Sequence, residues 1–363
     1  AAPRLDIRAK NSSLEITGEG RIGRVPASGN WRTDIGKTSD GSSRLEGTIE
    51  LSERFADEFN IGLPPGSISG AGQGVIGIDF AKGQPGVFTL TSNLAGVGLQ
   101  LKPLGWALSQ GGKGTLDVVG TLGTPPKINR VSLNAGGLRA DGNVTLRPDG
   151  QLERASFNRV SVGTWLNAPV DLVGRGAGAT PAVRVNGGTI DLRQTSLAGD
   201  GSGTQNRARG GPVTLRLDRL QISEGIALTD FAGEFDMSRG VDGRFTGKVN
   251  NGAPVAGTVI PQGNRSAFRI QSENAGGVLA SAGLLKNARN GVMDLILRPA
   301  TAAGTYNGKL RVQQLRLKDA PALAALLNAL SVVGILEQLA GDGIHFAEIE
   351  ADFQLGPKLV TLT

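Results

Sequence analysis

The chain has 363 residues and a formal charge of +6, enough length for one large or two ordinary domains. Its 56 glycines follow no three-residue period, which excludes collagen, and its 39% hydrophobic content excludes simple disorder. With no cysteine and one histidine, His345, it lacks a disulfide framework and most side chains that bind zinc or act as nucleophile or base near neutral pH, so no enzyme, cofactor or metal is expected. Lys and Arg are scattered singly beside Asp, Glu or Gly, with few aromatics to stack bases, so nucleic acid is not an expected partner.

The chain opens on Ala1-Ala2-Pro3 and runs directly into an alternating segment, Leu5, Ile7 and Ala9, without a charged start and apolar run. It stops at Val360-Thr361-Leu362-Thr363, in what reads as a strand, so an excerpt of a longer protein is expected. Ser52 to Phe59 predicts a helical turn with Ser52 as cap. Gly72-Gln73-Gly74-Val75-Ile76-Gly77 matches a dinucleotide glycine pattern, but Ile76, Ile78 and Phe80 continue in strand phase and predict a glycine-rich strand instead.

Further along, period-two alternation dominates. Leu138, Ala140, Val144 and Leu146 share one face, against Arg139, Asp141, Asn143, Thr145 and Arg147. Val213, Leu215 and Leu217 alternate with Thr214, Arg216 and Asp218, and Leu310 and Val312 with Lys309 and Arg311. These predict strands with one wet face. Turn signals are read at Asp141-Gly142, Pro148-Asp149-Gly150, Asn186-Gly187-Gly188, Asp242-Gly243, Asn250-Asn251-Gly252 and Pro261-Gln262-Gly263. A polar, glycine-rich stretch, 198–212, divides the chain into β-rich segments 1–197 and 213–363.

A second short helix is predicted at Ala275 to Ala282, after Asn274. A longer one is predicted over 321–340, where Leu323, Leu326, Leu327, Leu330, Val333 and Leu336 leave almost no polar face; it suits burial against a sheet, or membrane contact or a plug at a groove end. In Gly343 to Phe353, counting in twos puts His345 with Ala347, Ile349, Ala351 and Phe353. The carboxylate pairs Asp230/Glu234 and Glu348/Glu350 read as residues of solvated strand faces, with hydrolysis the disfavoured alternative.

The expected fold is mainly β: a long, twisted antiparallel meander of about 25 strands at about 4.8 Å spacing, with a few short helices and the apolar helix near the C-terminus. So long a sheet must cover its apolar face. A second sheet, a closed barrel, a solenoid or a ligand as long as the sheet are the candidate covers.

Several segments in order resemble the AsmA-like family, particularly the YhdP-type C-terminal region. They are Leu104-Gly105-Trp106, the Gly187 to Arg193 segment, Asn274-Ala275-Gly276-Gly277-Val278-Leu279, Asp319-Ala320-Pro321 with its apolar helix, and Gly341 to Phe353. The resemblance implies a bacterial envelope protein of the periplasm, anchored to the inner membrane by a segment absent here, with the repeating β-groove of bridge-like lipid transfer proteins. Combined with the one-sided alternation, it implies transport of phospholipids between inner and outer membrane, contributing to outer-membrane lipid homeostasis, with envelope proteins as partners at the groove ends. Lipid tails would then meet Leu138, Ala140, Val144, Leu146, Val213, Leu215, Leu217, Leu310, Val312, Ile349 and Phe353, and Arg139, Arg147, Arg216 and Arg311 at the rim would meet headgroups. A structural or adhesive β-rich envelope domain without a lipid is the alternative, and an outer-membrane barrel is disfavoured by three Trp and one Tyr.

Overall fold

The computed structural model describes residues 4–37, 39–63, 66–101, 104–194, 210–302, 304–318, 343–356 and 360–362. Across them the period-two alternation folds as twenty-five strands, with two short α-helices. The chain divides into two compact units, 1–181 and 182–363. Of the expected linker 198–212, residues 198–209 lie outside the described residues, as does the predicted helix 321–340 with Leu323, Leu326, Leu327, Leu330, Val333 and Leu336. Among the described residues, no helix is long and apolar enough to cross a membrane.

Unit 1 begins with β1 (Arg4–Ala9), β2 (Ser13–Ile22), β3 (Val25–Asp34) and β4 (Ser43–Ser52), then α1 (Glu53–Glu58), β5 (Ile68–Phe80) and β6 (Val87–Ser92). It continues with β7 (Val97–Leu101), β8 (Trp106–Leu108), β9 (Gly114–Thr121), β10 (Lys127–Ala135), β11 (Leu138–Leu146), β12 (Leu152–Val162) and β13 (Leu166–Val173). β1 to β6 pair antiparallel in chain order, β9 pairs beside β6, and β9 to β13 continue the meander. The β7–β8 hairpin pairs with the first residues of β5 (Ile68↔Leu99, Gly70↔Val97).

This insertion and α1 decide where the core sits. Val25, Ile49, Leu51, Leu90 and Val97 form a buried cluster, with Phe55 of α1 and Ile68 packed against it. Trp106 is buried too, and its Nε1 donates to the carbonyl of Gly136 at 2.8 Å. Fully burying one such side chain contributes about 1.5–3 kcal/mol. All these contacts lie at the strand ends that carry the β2–β3, β10–β11 and β12–β13 turns, here called the closed ends. The β10–β11 turn is Gly136-Gly137, with φ +52° and +81°, closed by the Ala135↔Leu138 pair. Two successive positive φ angles are what a tight hairpin needs and what glycine adopts without strain.

Unit 2 holds β14 (Ala182–Asn186), β15 (Thr189–Asp191), β16 (Pro212–Gln221), β17 (Ala227–Asp236), β18 (Asp242–Val249), β19 (Pro254–Gln262) and β20 (Arg265–Ser272). After α2 (Ala275–Ser281) come β21 (Ala288–Arg289), β22 (Val292–Pro299), β23 (Tyr306–Leu317), β24 (Ile344–Leu355) and β25 (Val360–Leu362). β16 to β20, then β22 to β25, pair antiparallel. β14 and β15 depart from the expected antiparallel order by pairing parallel to β16, so Gly187-Gly188 steps between two strand segments rather than turning a hairpin. The closed ends of this unit lie under α2, where Ala275, Val278, Leu279, Val249, Val255 and Ala288 are buried.

Both predicted short helices are present. Asn274 caps α2, its Oδ1 accepting from the Gly277 amide at 2.9 Å. Ser52 sits at the cap of α1 but makes no cap bond; its hydroxyl donates to Glu50 instead. The glycine pattern at 72–77 lies inside β5, as the strand phase predicted. Two expected turns are corrected: Asp141-Gly142 lies within β11 and Asp242-Gly243 opens β18. At Gly142 the partner strand bulges, since Asp141 pairs with Arg159 and Gly142 with Phe157, leaving Asn158 unpaired.

Candidate functional site: an apolar face built from cross-strand rows

Residues directly opposite on neighbouring strands point to the same face, so the register shows what lies beside what. In unit 1 one row runs Leu5, Gly18, Gly29, Gly47, Ile76, Leu90, Val118, Val131, Gly142, Phe157 and Val170, crossing eleven strands. A second, two residues nearer the opposite strand ends, runs Ile7, Ile16, Trp31, Leu45, Ile78, Phe88, Gly120, Ile128, Val144, Ala155 and Leu172. Neither row contains a polar side chain. Measured along a row, ten inter-strand steps span roughly 48 Å.

Unit 2 repeats the arrangement. Val185, Leu215, Gly233, Phe245, Gly257, Ile270, Leu295, Leu310 and Ala351 form one row. Val183, Val213, Phe235, Gly243, Val259, Phe268, Leu297, Gly308, Phe353 and Leu362 form the next.

The register thus gathers side chains that the sequence could place only within single strands. Leu138 and Ala140 are buried beside Val162 and Val160, while Val144 and Leu146 are half-buried beside Ala155 and Leu152. Leu215 and Leu310 share a row, Val213 and Phe353 share another, and Val312 pairs with Ile349 nearer the closed ends. Leu217 is buried against Phe231. The remaining row members, such as Trp31, Phe88, Phe157 and Phe268, alternate in their own strands; that alternation is the signal by which sequence reading finds them.

Glycines have a specific place in these rows. Besides Gly233, which pairs with Phe245 but faces the rings of Phe235 and Phe231, five stand directly across from a phenylalanine that they also touch: Gly120 with Phe88, Gly142 with Phe157, Gly243 with Phe235, Gly257 with Phe245 and Gly308 with Phe353. In each case a Cβ on the glycine would run into that phenylalanine. The phenylalanine rings therefore lie down over bare backbone, and the apolar face stays low where it would otherwise carry its bulkiest side chains.

The opposite face is ionic. Cross-strand pairs link Arg44 to Asp79 (2.9 Å), Arg32 to Glu15 (2.9 Å), Arg244 to Glu234 (2.9 Å), Lys248 to Asp230 (2.8 Å) and Arg269 to Asp294 (2.8 Å). Arg311 Nε lies 2.8 Å from Glu350 and 3.1 Å from Glu348. The hydrogen bond from Arg311 holds the Glu350 carboxyl below its ordinary range, helped by the charge of Lys309. Glu15 is lowered in the same way, first by the Asn30 amide and then by Arg32. The carboxylate pairs singled out in the sequence are thus members of outer-face ion pairs.

Two placements differ from the sequence reading. His345 stands on the ionic face, exposed, 2.8 Å from the Gln314 side chain. Gln314 takes φ +58° and leaves no register partner for Ala347, so the alternation slips and the count in twos fails there. Arg311 and Arg216 also belong to the ionic face, as Arg139 does, so these three are not rim residues; Arg147 is, beyond the end of β11, its Nη2 donating to the Gly174 carbonyl at 3.2 Å. Among the described residues, no group of three acidic or histidine side chains is placed to hold a metal ion. No family model, curated protein or solved structure matches the chain.

Proposed function

We propose that this chain is a non-enzymatic lipid carrier: phospholipid tails lie on the apolar faces and slide along the cross-strand rows. The observation that supports the reading is the composition of those rows. Rows that cross nine to eleven strands without one polar group leave most of their side chains half-exposed away from the closed ends, Ile7 as much as 63% exposed. Apolar area of this extent calls for a cover, and each methylene of a tail placed on it contributes about 0.8 kcal/mol. Phe rings flattened over glycine suit a surface along which a chain moves without obstruction. The resemblance to AsmA-like proteins extends the proposal to a periplasmic bridge between inner and outer membrane, a β-groove tethered by a segment outside this sequence.

Site-specific photocrosslinking tests it. A photoreactive residue at Ile270, on the apolar face, is expected to label phospholipid during expression in bacteria, and one at Arg269, on the ionic face, is not. Equal labelling from both positions, or a purified protein whose organic extract contains no lipid, would overturn it and favour a structural β-rich domain.

A further inference from the structure

The two ends of the strands in unit 1 carry different charge. At the ends opposite the core, each of five successive hairpin connections holds a basic residue: Lys10 between β1 and β2, Lys37 between β3 and β4, Lys82 between β5 and β6, Lys127 at the start of β10, and Arg147 after β11. The four lysines are exposed and make no ion pair among the described residues, whereas basic residues of the ionic face such as Arg44 and Arg32 are paired. Several carboxylates at these ends are committed elsewhere. Asp40 and Asp149 accept from the backbone amides of Ser42 (2.8 Å) and Gln151 (3.0 Å), and Asp79 pairs with Arg44. Asp34 and Glu153 stand there as well, and Asp40 and Asp149, bonded to neutral amides, keep their charge, so four carboxylates with no ion pair among the described residues stand against the five basic residues.

Among the described residues the closed ends lack this pattern. In the β2–β3 turn Arg24 is paired with Glu58 at 3.4 Å, and the β10–β11 and β12–β13 turns carry no charge. Helix α1 adds Glu53, Asp57 and Glu58 together with Arg54, which is paired with Glu50 at 2.7 Å, and Lys113 stands in the connection before β9. Hairpins recur every second strand, so successive cations of the opposite ends lie about 10 Å apart along the sheet. They run parallel to the row that ends in Val144 and Leu172. Unit 2 does not repeat the bias: at the β17–β18 turn Arg239 lies between Asp236 and Asp242, Arg298 stands near the end of β22, and Arg265 is committed to the carbonyls of Ala300 and Thr305.

We propose that Lys10, Lys37, Lys82 and Lys127, continued by Arg147, which also donates to the Gly174 carbonyl, form a cationic rail that receives the phosphate of a phospholipid whose tails lie on the adjoining apolar face. The inference rests on the lipid-carrying reading and adds to it an orientation, headgroups at the ends away from α1, and a preference for anionic lipid. Unpaired cations beside an apolar surface match a molecule that is anionic at one end and apolar at the other, and each contributes most at low ionic strength.

The test compares the full chain with the triple variant Lys37→Gln, Lys82→Gln, Lys127→Gln. The probes are fluorescent phosphatidylglycerol, a diacylglycerol with the same tails, and inorganic phosphate as competitor. Phosphatidylglycerol affinity is expected to fall on the order of tenfold in the variant, with diacylglycerol binding unchanged and millimolar phosphate unable to displace either. The ionic-face triple variant Arg32→Gln, Arg44→Gln, Arg244→Gln removes the same net charge and is expected to bind phosphatidylglycerol normally. Undiminished phosphatidylglycerol binding by the triple variant overturns the rail and leaves the lipid reading standing. Displacement by phosphate makes the turns a free-phosphate site and overturns it as well. A wild-type chain that binds neither lipid overturns both proposals.

Discussion

The closed and the open strand ends of unit 1 are made from the same sheet, the same rows and the same alternation, yet they differ in burial. At the closed ends Val25 and Ile49 are 0% and 2% exposed, beneath α1 and the β7–β8 hairpin. A few residues along the same strands, Trp31, Leu45 and Ile78 are only half-buried. Alternation therefore sets which face is apolar, and inserted elements set how much of that face the protein covers for itself. In unit 2 the inserted element is α2, and the burial again concentrates on its side.

The largest effect expected from this contrast is on stability. Ile49→Ala removes a side chain from a closed cluster and should cost about 2–4 kcal/mol, because the cavity is enclosed on all sides. Ile78→Ala, in β5 and two rows away, should cost well under half of that, since a partly exposed site has less apolar area to lose. Denaturant midpoints of the two variants measure the difference. Saturating phospholipid should then stabilise the wild type more than Ile78→Ala; equal costs for the two substitutions would mean that the open ends are as well covered as the closed ones.

A middle-sized effect concerns the glycines that face the rows. All three atoms nearest to a Cβ at Gly308 belong to the Phe353 ring. Gly308→Ala should cost roughly 1 kcal/mol or more by lifting that ring, and Phe353→Leu in the same chain should recover part of it. A double-mutant cycle reads the coupling directly; simple additivity would show that the ring does not rest on the glycine.

These glycines also mark the limit of what the sequence discloses. Period-two alternation identifies the strands, and the cap residue Asn274 with its following segment identifies α2, because both signals are local. Asp141-Gly142 and Asp242-Gly243 have the composition of turns, but one lies beside a bulge and both place their glycine under a phenylalanine of the neighbouring strand. Whether a glycine turns the chain or makes room for a ring depends on a partner ten to twenty residues away. His345 fails for a related reason, since a slip at Gln314 on β23 is invisible to counting along β24. The cationic turns are not legible along the chain, because single lysines look scattered until the pairing order places them at one set of strand ends.

The smallest effect expected is electrostatic and separates the ionic face from the apolar one. The Glu350 carboxyl is lowered by the hydrogen bond from Arg311 and by the charges of Lys309 and Arg311. A carboxyl whose folded value lies below its unfolded one, about 4.3 for glutamate, stabilises the fold above that unfolded value and loses the contribution as pH falls through the folded one. Stability should therefore be flat from pH 7 to 5 as far as this pair is concerned, and decline below about pH 4.3. Arg311→Gln removes the cause: the gap in denaturation midpoint between wild type and variant should be small at pH 7, because the pair is exposed to solvent, and should close toward pH 3. A gap that persists unchanged at pH 3 would assign the contribution of Arg311 to packing of its methylene stem across β23 and β24 rather than to its charge. High salt at pH 7 should shrink the same gap for the same reason, while leaving the cost of Ile49→Ala untouched.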